Sequence, residues 1–178
     1  MTRKIPNDEL DRLSPEEFRE AKKLPVVIVL DNVRSLHNVG SVFRTADAFL
    51  CEAVFLCGIT ATPPHREIQK TALGATESVT WKYFATTREA LSELKVSGYQ
   101  IVAIEQVEGA VALQDFQPAA GKKYSLVFGH EVNGVDEKQF DLVDVFIEIP
   151  QSGTKHSLNI SVSAGVVLWE FYRKLIRI

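Results

Sequence analysis

Short apolar runs alternate with segments of helical spacing along nearly the whole chain, and this alternation is the strongest constraint on what it can fold into. The runs are Val26 to Leu30, Ala53 to Cys57, Val79 to Phe84, Ile101 to Ile104, Ser125 to Phe128 and Val145 to Ile149, each of strand length. Between them, Asn38 to Phe49, His65 to Leu73, Arg88 to Val96 and Glu137 to Val143 carry apolar residues at helical intervals, and Gly74 and Gly98 suit helix C-caps. The run V-V-I-V-L is apolar at every position, as a strand covered on both faces requires. Strand and helix in alternation therefore predict an α/β domain, a mostly parallel sheet with helices on both faces. Ahead of it, S-P-E-E opens a helix: Ser14 caps, Pro15 suits the first helical position and Glu17 completes a capping box, so the helix should run to about Lys23. These boundaries divide the chain into a helical extension over residues 1–24 and one domain over residues 25–178.

Bulk properties narrow the class. A chain of 178 residues is long enough to bury roughly 70% of its unfolded surface as a single domain. With 46% hydrophobic and 24% charged residues, disordered and fibrous classes fit poorly. The longest apolar run, Val26 to Leu30, is too short to span a bilayer, and the first ten residues lack the apolar stretch of a signal peptide, so no membrane association and a cytoplasmic location are expected. Cys51 and Cys57 have no CxxC spacing, which predicts core thiols and no metal site. A net charge of −3 argues mildly against nucleic-acid binding, yet the charge is uneven. Glu131 to Glu148 holds six acidic residues against one lysine, whereas Lys155 to Ile178 holds four basic residues against one acidic.

The stretch S-L-N-I-S-V-S-A-G-V-V-L-W-E, Ser157 to Glu170, fits both a strand and a helix template. Its apolar stripe at Leu158, Val162, Val166 and Trp169 continues through Tyr172 and Leu175, beyond strand length, and basic residues close the chain, which favours a helix. Ser157 then reads as the cap, and Asn159 lies about two residues inside, where Asn is a poor helix former. Gly165 within that helix costs about 1 kcal/mol relative to Ala unless a neighbour crowds it, so a crowded neighbour is expected.

Ligands of open α/β sheets bind beyond the carboxyl ends of the strands. The loops there contain no G-x-G-x-x-G, no G-x-x-x-x-G-K-[ST] and no G-x-S-x-G, which removes dinucleotide binding, P-loop phosphoryl transfer and α/β-hydrolase chemistry from the leading readings. Three segments remain. In L-D-N-V-R-S-L-H-N-V-G-S-V-F-R-T-A-D-A-F, Asn38 and Arg44 offer amide and guanidinium donors, and Gly40 would let a substrate approach the backbone. In L-V-F-G-H-E-V-N-G-V a strand breaks into a turn carrying His130, Glu131 and Asn133. In F-I-E-I-P-Q-S-G-T-K-H-S-L-N-I-S a strand ends at Pro150 before Ser157 and Asn159. Taken singly, helix capping and turn chemistry explain most of these residues.

Together, N-V-G-S-V-F-R-T-A-D-A-F, G-H-E-V-N-G and I-P-Q-S-G-T-K-H-S-L-N-I-S-V-S-A occur in the order of the three motifs of the SpoU (TrmH-like) branch of the SPOUT RNA methyltransferases, and the chain resembles that family from about Val26 to Leu175. The resemblance implies a C-terminal deep trefoil knot, a homodimer and transfer of methyl from S-adenosylmethionine to a ribose 2′-hydroxyl of tRNA or rRNA. It also implies that Gly129, His130, Ile149, Pro150 and Leu158 border the cofactor, and that Arg44, Asn38, Glu131, Ser157 and Asn159 are the catalytic polar set. Arg44 takes the leading role, as a charged group that holds an RNA phosphate and stabilises the developing alkoxide. Asn38 and Asn159 orient ribose or neighbouring side chains, and Glu131 anchors Arg44 or Asn38. RNA is the implied partner and DNA is not, with Arg3, Lys4, Arg66, Lys155 and Arg173 available for substrate capture. The rival reading is a knotted RNA-binding protein without catalysis.

Overall fold

A computed structural model describes residues 2–6 and 9–176; Arg177 and Ile178, part of the basic C-terminal run, lie outside the described residues. The elements are α1 (Pro15–Glu20), β1 (Leu24–Asp31), α2 (Leu36–Ala48), β2 (Cys51–Cys57), α3 (Arg66–Ala72), α4 (Ala75–Ser78), β3 (Trp81–Phe84), α5 (Thr87–Val96), β4 (Tyr99–Ile104), β5 (Val111–Ala112), β6 (Lys123–Phe128), a 3-10 turn (Glu137–Leu142), β7 (Val145–Glu148) and α6 (Ile160–Ile176). The strands form one seven-stranded sheet in the order β3-β2-β1-β6-β4-β7-β5, with all paired neighbours parallel.

The apolar run of β1 sits mid-sheet between β2 and β6, and its side chains alternate between two cores. Val26, Ile28 and Leu30 pack under α2 and α6, against Val39, Val42, Phe43 and Leu168. Val27 and Val29 face α5, against Leu91 and Leu94. The predicted two-faced burial is thus observed. Cys51 and Cys57 are buried thiols, and burial pushes Cys57 up to about 12. The capping box of α1 forms as expected, and Phe18 reaches into the α2 core.

Local expectations fail where elements are too short to show a period. Val79 precedes the strand it was assigned to, because residues 75–78 form the one-turn helix α4. Leu73 itself takes the left-handed C-cap of α3 (φ 50°), and Gly74 (φ 90°) opens α4. Two-residue β5 carries no legible pattern, and Glu137–Leu142 is 3-10 rather than α.

Two glycines behave differently from expectation. A Cβ on Gly40 would lie 2.3 Å from the Ile68 carbonyl oxygen and 2.1 Å from Thr71 Oγ1, so this glycine admits α3 to the side of α2 rather than a substrate to the backbone. Gly40→Ala should therefore destabilise the fold by about 1–3 kcal/mol in denaturant titration, as overpacking does. Gly165, by contrast, has nothing within 4 Å of where a Cβ would stand, so its crowded neighbour is not found among the described residues.

The segment between β4 and β6 grips the C-terminal segment at both ends. Gln106 Nε2 donates to the His156 carbonyl at 3.0 Å, before α6. Near the other end, Lys174 Nζ donates to the carbonyls of Leu113, Gln114 and Phe116 at 3.3, 2.9 and 2.6 Å. The Phe116 and Phe171 rings stack at 5.5 Å between centroids.

Candidate active site

The carboxyl ends of β4, β6 and β7 open into a cleft of about 530 Å³ walled by residues 104–106, 128–134, 147–149 and 156–160, with Gln151 and Ser163. Its shape depends on the turn after β6. His130 and Gly134 exchange two backbone hydrogen bonds of 2.9 Å, closing the turn, and Gly134 takes φ +68° to do so. A Cβ on Gly129 would lie 2.0 Å from the Gly134 carbonyl carbon and 2.1 Å from the Val135 nitrogen, so only glycine fits beneath this turn. His130 Nδ1 accepts from the amides of Val132 and Asn133 at 3.0 and 3.3 Å, which leaves the ring proton on Nε2. Among the described residues, the main-chain N–H and C=O groups of Gly129, Ile149 and Leu158 make no hydrogen bond. Such groups in a cleft wall call for a polar partner.

At the cleft wall three side chains from distant parts of the chain form one hydrogen-bonded relay. Asn159 caps α6: its Oδ1 accepts from the Ser161 amide at 2.9 Å and from Ser161 Oγ at 2.6 Å. With its oxygen so committed, Nδ2 must face the other way, and it donates to Asn38 Oδ1 at 3.1 Å. Asn38 Nδ2 then donates to Glu131 Oε1 at 3.2 Å. Glu131 also accepts from the amides of Ser35 and Arg34, at 2.9 and 3.1 Å, and so pins the loop that opens α2. An amide N–H at one end and a carboxylate at the other set both asparagine orientations.

The relay makes a sharp mutational prediction. Asn38→Asp sets a carboxylate oxygen against Glu131 and removes a donor, so it should cost more stability than Asn38→Ala, by about 1–2 kcal/mol, a like-charge penalty added to a lost hydrogen bond. Parallel urea titrations of the two variants test this ordering. Burial pushes the Glu131 carboxyl up, but the amides of Arg34 and Ser35 and the Asn38 side chain outweigh it, so the group sits below its ordinary 4.5. A depressed folded value means that this stabilisation is present above the unfolded value and is lost as pH falls through the folded one. Glu131→Gln should therefore flatten the decline in melting temperature below about pH 4.5.

Of the residues nominated from sequence, Gly129, His130, Glu131, Ile149, Ser157, Leu158 and Asn159 line the cleft. Asn38 is buried just behind it and joins through the relay. Pro150 is exposed and is not among the lining residues. Ser157 lines the cleft but does not cap α6; Asn159 does, which corrects the expectation that it lay inside the helix. Glu131 anchors Asn38, not Arg44. Arg44 is exposed on α2, outside the lining and without a hydrogen bond or ion pair among the described residues. Six residues separate it from Asn38, about 9 Å of helix rise and about 120° of rotation. Glu105 was missed. It lines the cleft and accepts from the Gln106 and Val135 amides at 2.9 Å each. Its position at the carboxyl end of a predicted strand was the available signal.

The pattern of the SpoU rRNA Methylase family matches residues 25–169. A Staphylococcus haemolyticus protein assigned to the TrmH family of tRNA/rRNA methyltransferases is 31% identical over 163 residues, which is 89% of this chain and 64% of that protein. The chain thus spans less than two thirds of that relative's length. Among solved structures, the A. aeolicus TrmH/SpoU tRNA modifying enzyme superposes with a TM-score of 0.80 at 26% identity, covering 92% of this chain and 83% of the other. An AdoMet-bound rRNA methyltransferase from Sinorhizobium meliloti gives 0.79 at 27% identity, covering 89% and 60%. The parallel sheet, the motif loops gathered at its carboxyl edge and the family pattern across residues 25–169 agree, and the chain belongs to the SpoU rRNA Methylase family.

Proposed function

We propose that this protein transfers the methyl group of S-adenosylmethionine to a ribose 2′-hydroxyl of tRNA or rRNA. The observation that carries this reading is the relay Glu131–Asn38–Asn159 against a cleft whose walls at Gly129, Ile149 and Leu158 present unpaired main-chain groups. Those groups fit an adenine edge, and the apolar side chains of Ile149 and Leu158 fit its faces; Leu158 is 39% exposed. The cofactor, when bound, supplies an electrophilic sulfonium methyl. This chain's task is to hold a hydroxyl in line with it, and geometry of that kind accounts for much of such a rate enhancement. The relay fixes the α2 loop and the start of α6 relative to the cleft. Arg44, on α2 outside the cleft lining, holds a phosphate of the substrate, and as the hydroxyl oxygen takes the methyl its proton passes to that phosphate or to water, leaving S-adenosylhomocysteine.

A homodimer belongs to the same reading. Val162, Val166 and Trp169 are 50%, 40% and 50% exposed along one face of α6, with the open Gly165 among them. An apolar helix face of this kind fits a second copy, and that copy would supply the neighbour Gly165 lacks within one chain. The hold that residues 106–116 exert on both ends of the 156–174 segment supports a trefoil knot there. Incubation with S-adenosylmethionine and unmodified tRNA and rRNA, followed by nucleoside analysis, tests the activity. The reading predicts 2′-O-methylnucleosides, whereas methylated bases would replace it, and cofactor-independent RNA binding alone would favour the non-catalytic rival.

A further inference from the structure

We propose that the RNA strand flanking the target nucleotide crosses the α2–α3 pair, and that Arg34 and Arg66 hold its phosphates outside the cleft. The inference rests on RNA as the substrate class.

Charge is divided sharply around the site. The cleft lining includes three carboxylates, Glu105, Glu131 and Glu148, and no lysine or arginine. Such a lining suits a cationic sulfonium and repels phosphate, so a ribose that enters must leave its backbone charges outside. Half of the eight described arginines are committed: Arg3 pairs with Glu9, Arg19 with Glu16, Arg88 with Asp141 and Arg173 with Glu170. Among the described arginines, Arg34, Arg44 and Arg66 are exposed with no side-chain partner, a condition shared only by Arg12 in the N-terminal segment. All three stand on one unit, the loop into α2, α2 itself and the first residue of α3.

That unit is rigidly placed beside the cleft. The Arg34 amide donates to cleft-lining Glu131 at 3.1 Å, which fixes where its side chain begins. α3 is fastened to α2 by the close approach at Gly40, by Thr71 Oγ1 donating to the His37 carbonyl at 3.0 Å, and by His37 Nε2 meeting Glu67 at 2.9 Å. Arg66 immediately precedes Glu67 at the start of α3, and Arg34 stands three residues before His37. A second group of cations, Lys95, Lys122 and Lys123, lines a shallow depression at the amino ends of β4 and β6. It lies a strand length, about 20 Å, from the cleft.

The test uses the intact protein with S-adenosylmethionine and unmodified tRNA and rRNA transcripts, reading RNA affinity by anisotropy across a salt series and cofactor affinity by calorimetry. Arg34→Ala and Arg66→Ala should each weaken RNA binding about 5- to 10-fold and lower the slope of log K against log salt by about 0.7–0.9, one phosphate contact apiece. Cofactor affinity and melting temperature should stay at wild-type values. Arg34→Lys should restore most of the slope, and a Lys122→Ala/Lys123→Ala variant should bind RNA within twofold of wild type. Wild-type affinity and slope in the Arg34→Ala/Arg66→Ala double variant would overturn this surface while leaving the methyltransferase reading intact, as would transfer of the loss to the lysine variant. Cofactor binding without RNA binding in the wild type would overturn both.

Discussion

Arg44→Ala is expected to lower single-turnover methyl transfer by roughly 10²-fold or more while cofactor affinity stays within a few-fold. The structure makes this a clean experiment. Arg44 is exposed on α2 and bonds to nothing among the described residues, and alanine is the best helix former, so stability should change by no more than about 0.5 kcal/mol. A drop in rate would then reflect chemistry, not unfolding. Arg44→Lys keeps the charge without the planar fork and should fall between the two. Loss of cofactor binding in parallel with turnover would sink the assigned role. So would an unchanged rate.

The second large effect is at Gly129. Its missing side chain faces the backbone of Gly134 and Val135, at 2.0 and 2.1 Å from a built Cβ, and backbone cannot rotate aside as a side-chain tip can. Gly129→Ala should therefore move the turn that walls the cleft, destabilise the fold by about 1–3 kcal/mol and weaken S-adenosylmethionine binding by roughly 10²-fold, a loss of about 2.7 kcal/mol. Gly153→Ala is the matched control, since nothing lies within 4 Å of its Cβ position. Calorimetry and thermal denaturation on both variants decide the matter. Wild-type cofactor affinity in Gly129→Ala would show that the turn does not shape the binding site.

The elements most legible from sequence were the long, strongly patterned ones. β1 could be read because burial on both faces leaves a continuous apolar run, and α1 because its capping box is local in the chain. α4 and β5 escaped because four and two residues are too few to carry a period. The site divided in the same way. Three motifs announced which loops would meet, and seven of the ten nominated residues do line the cleft. Their bonding was not legible. Ser157 and Asn159 are both capping types two positions apart, and sequence offers no means of choosing between them.

What the sequence determined by itself was the parallel α/β architecture, the family and the identity of the loops at the sheet's carboxyl edge, since burial pattern and motif order are written along the chain. The tertiary structure alone decided that Asn159 caps α6, that Gly40 serves helix contact, and that Glu131 holds Asn38 rather than Arg44. The physical reason is range. The relay's bonds join residues 121 and 93 positions apart, and which partner a side chain finds across such distances depends on how the sheet and helices pack, a property no local segment encodes.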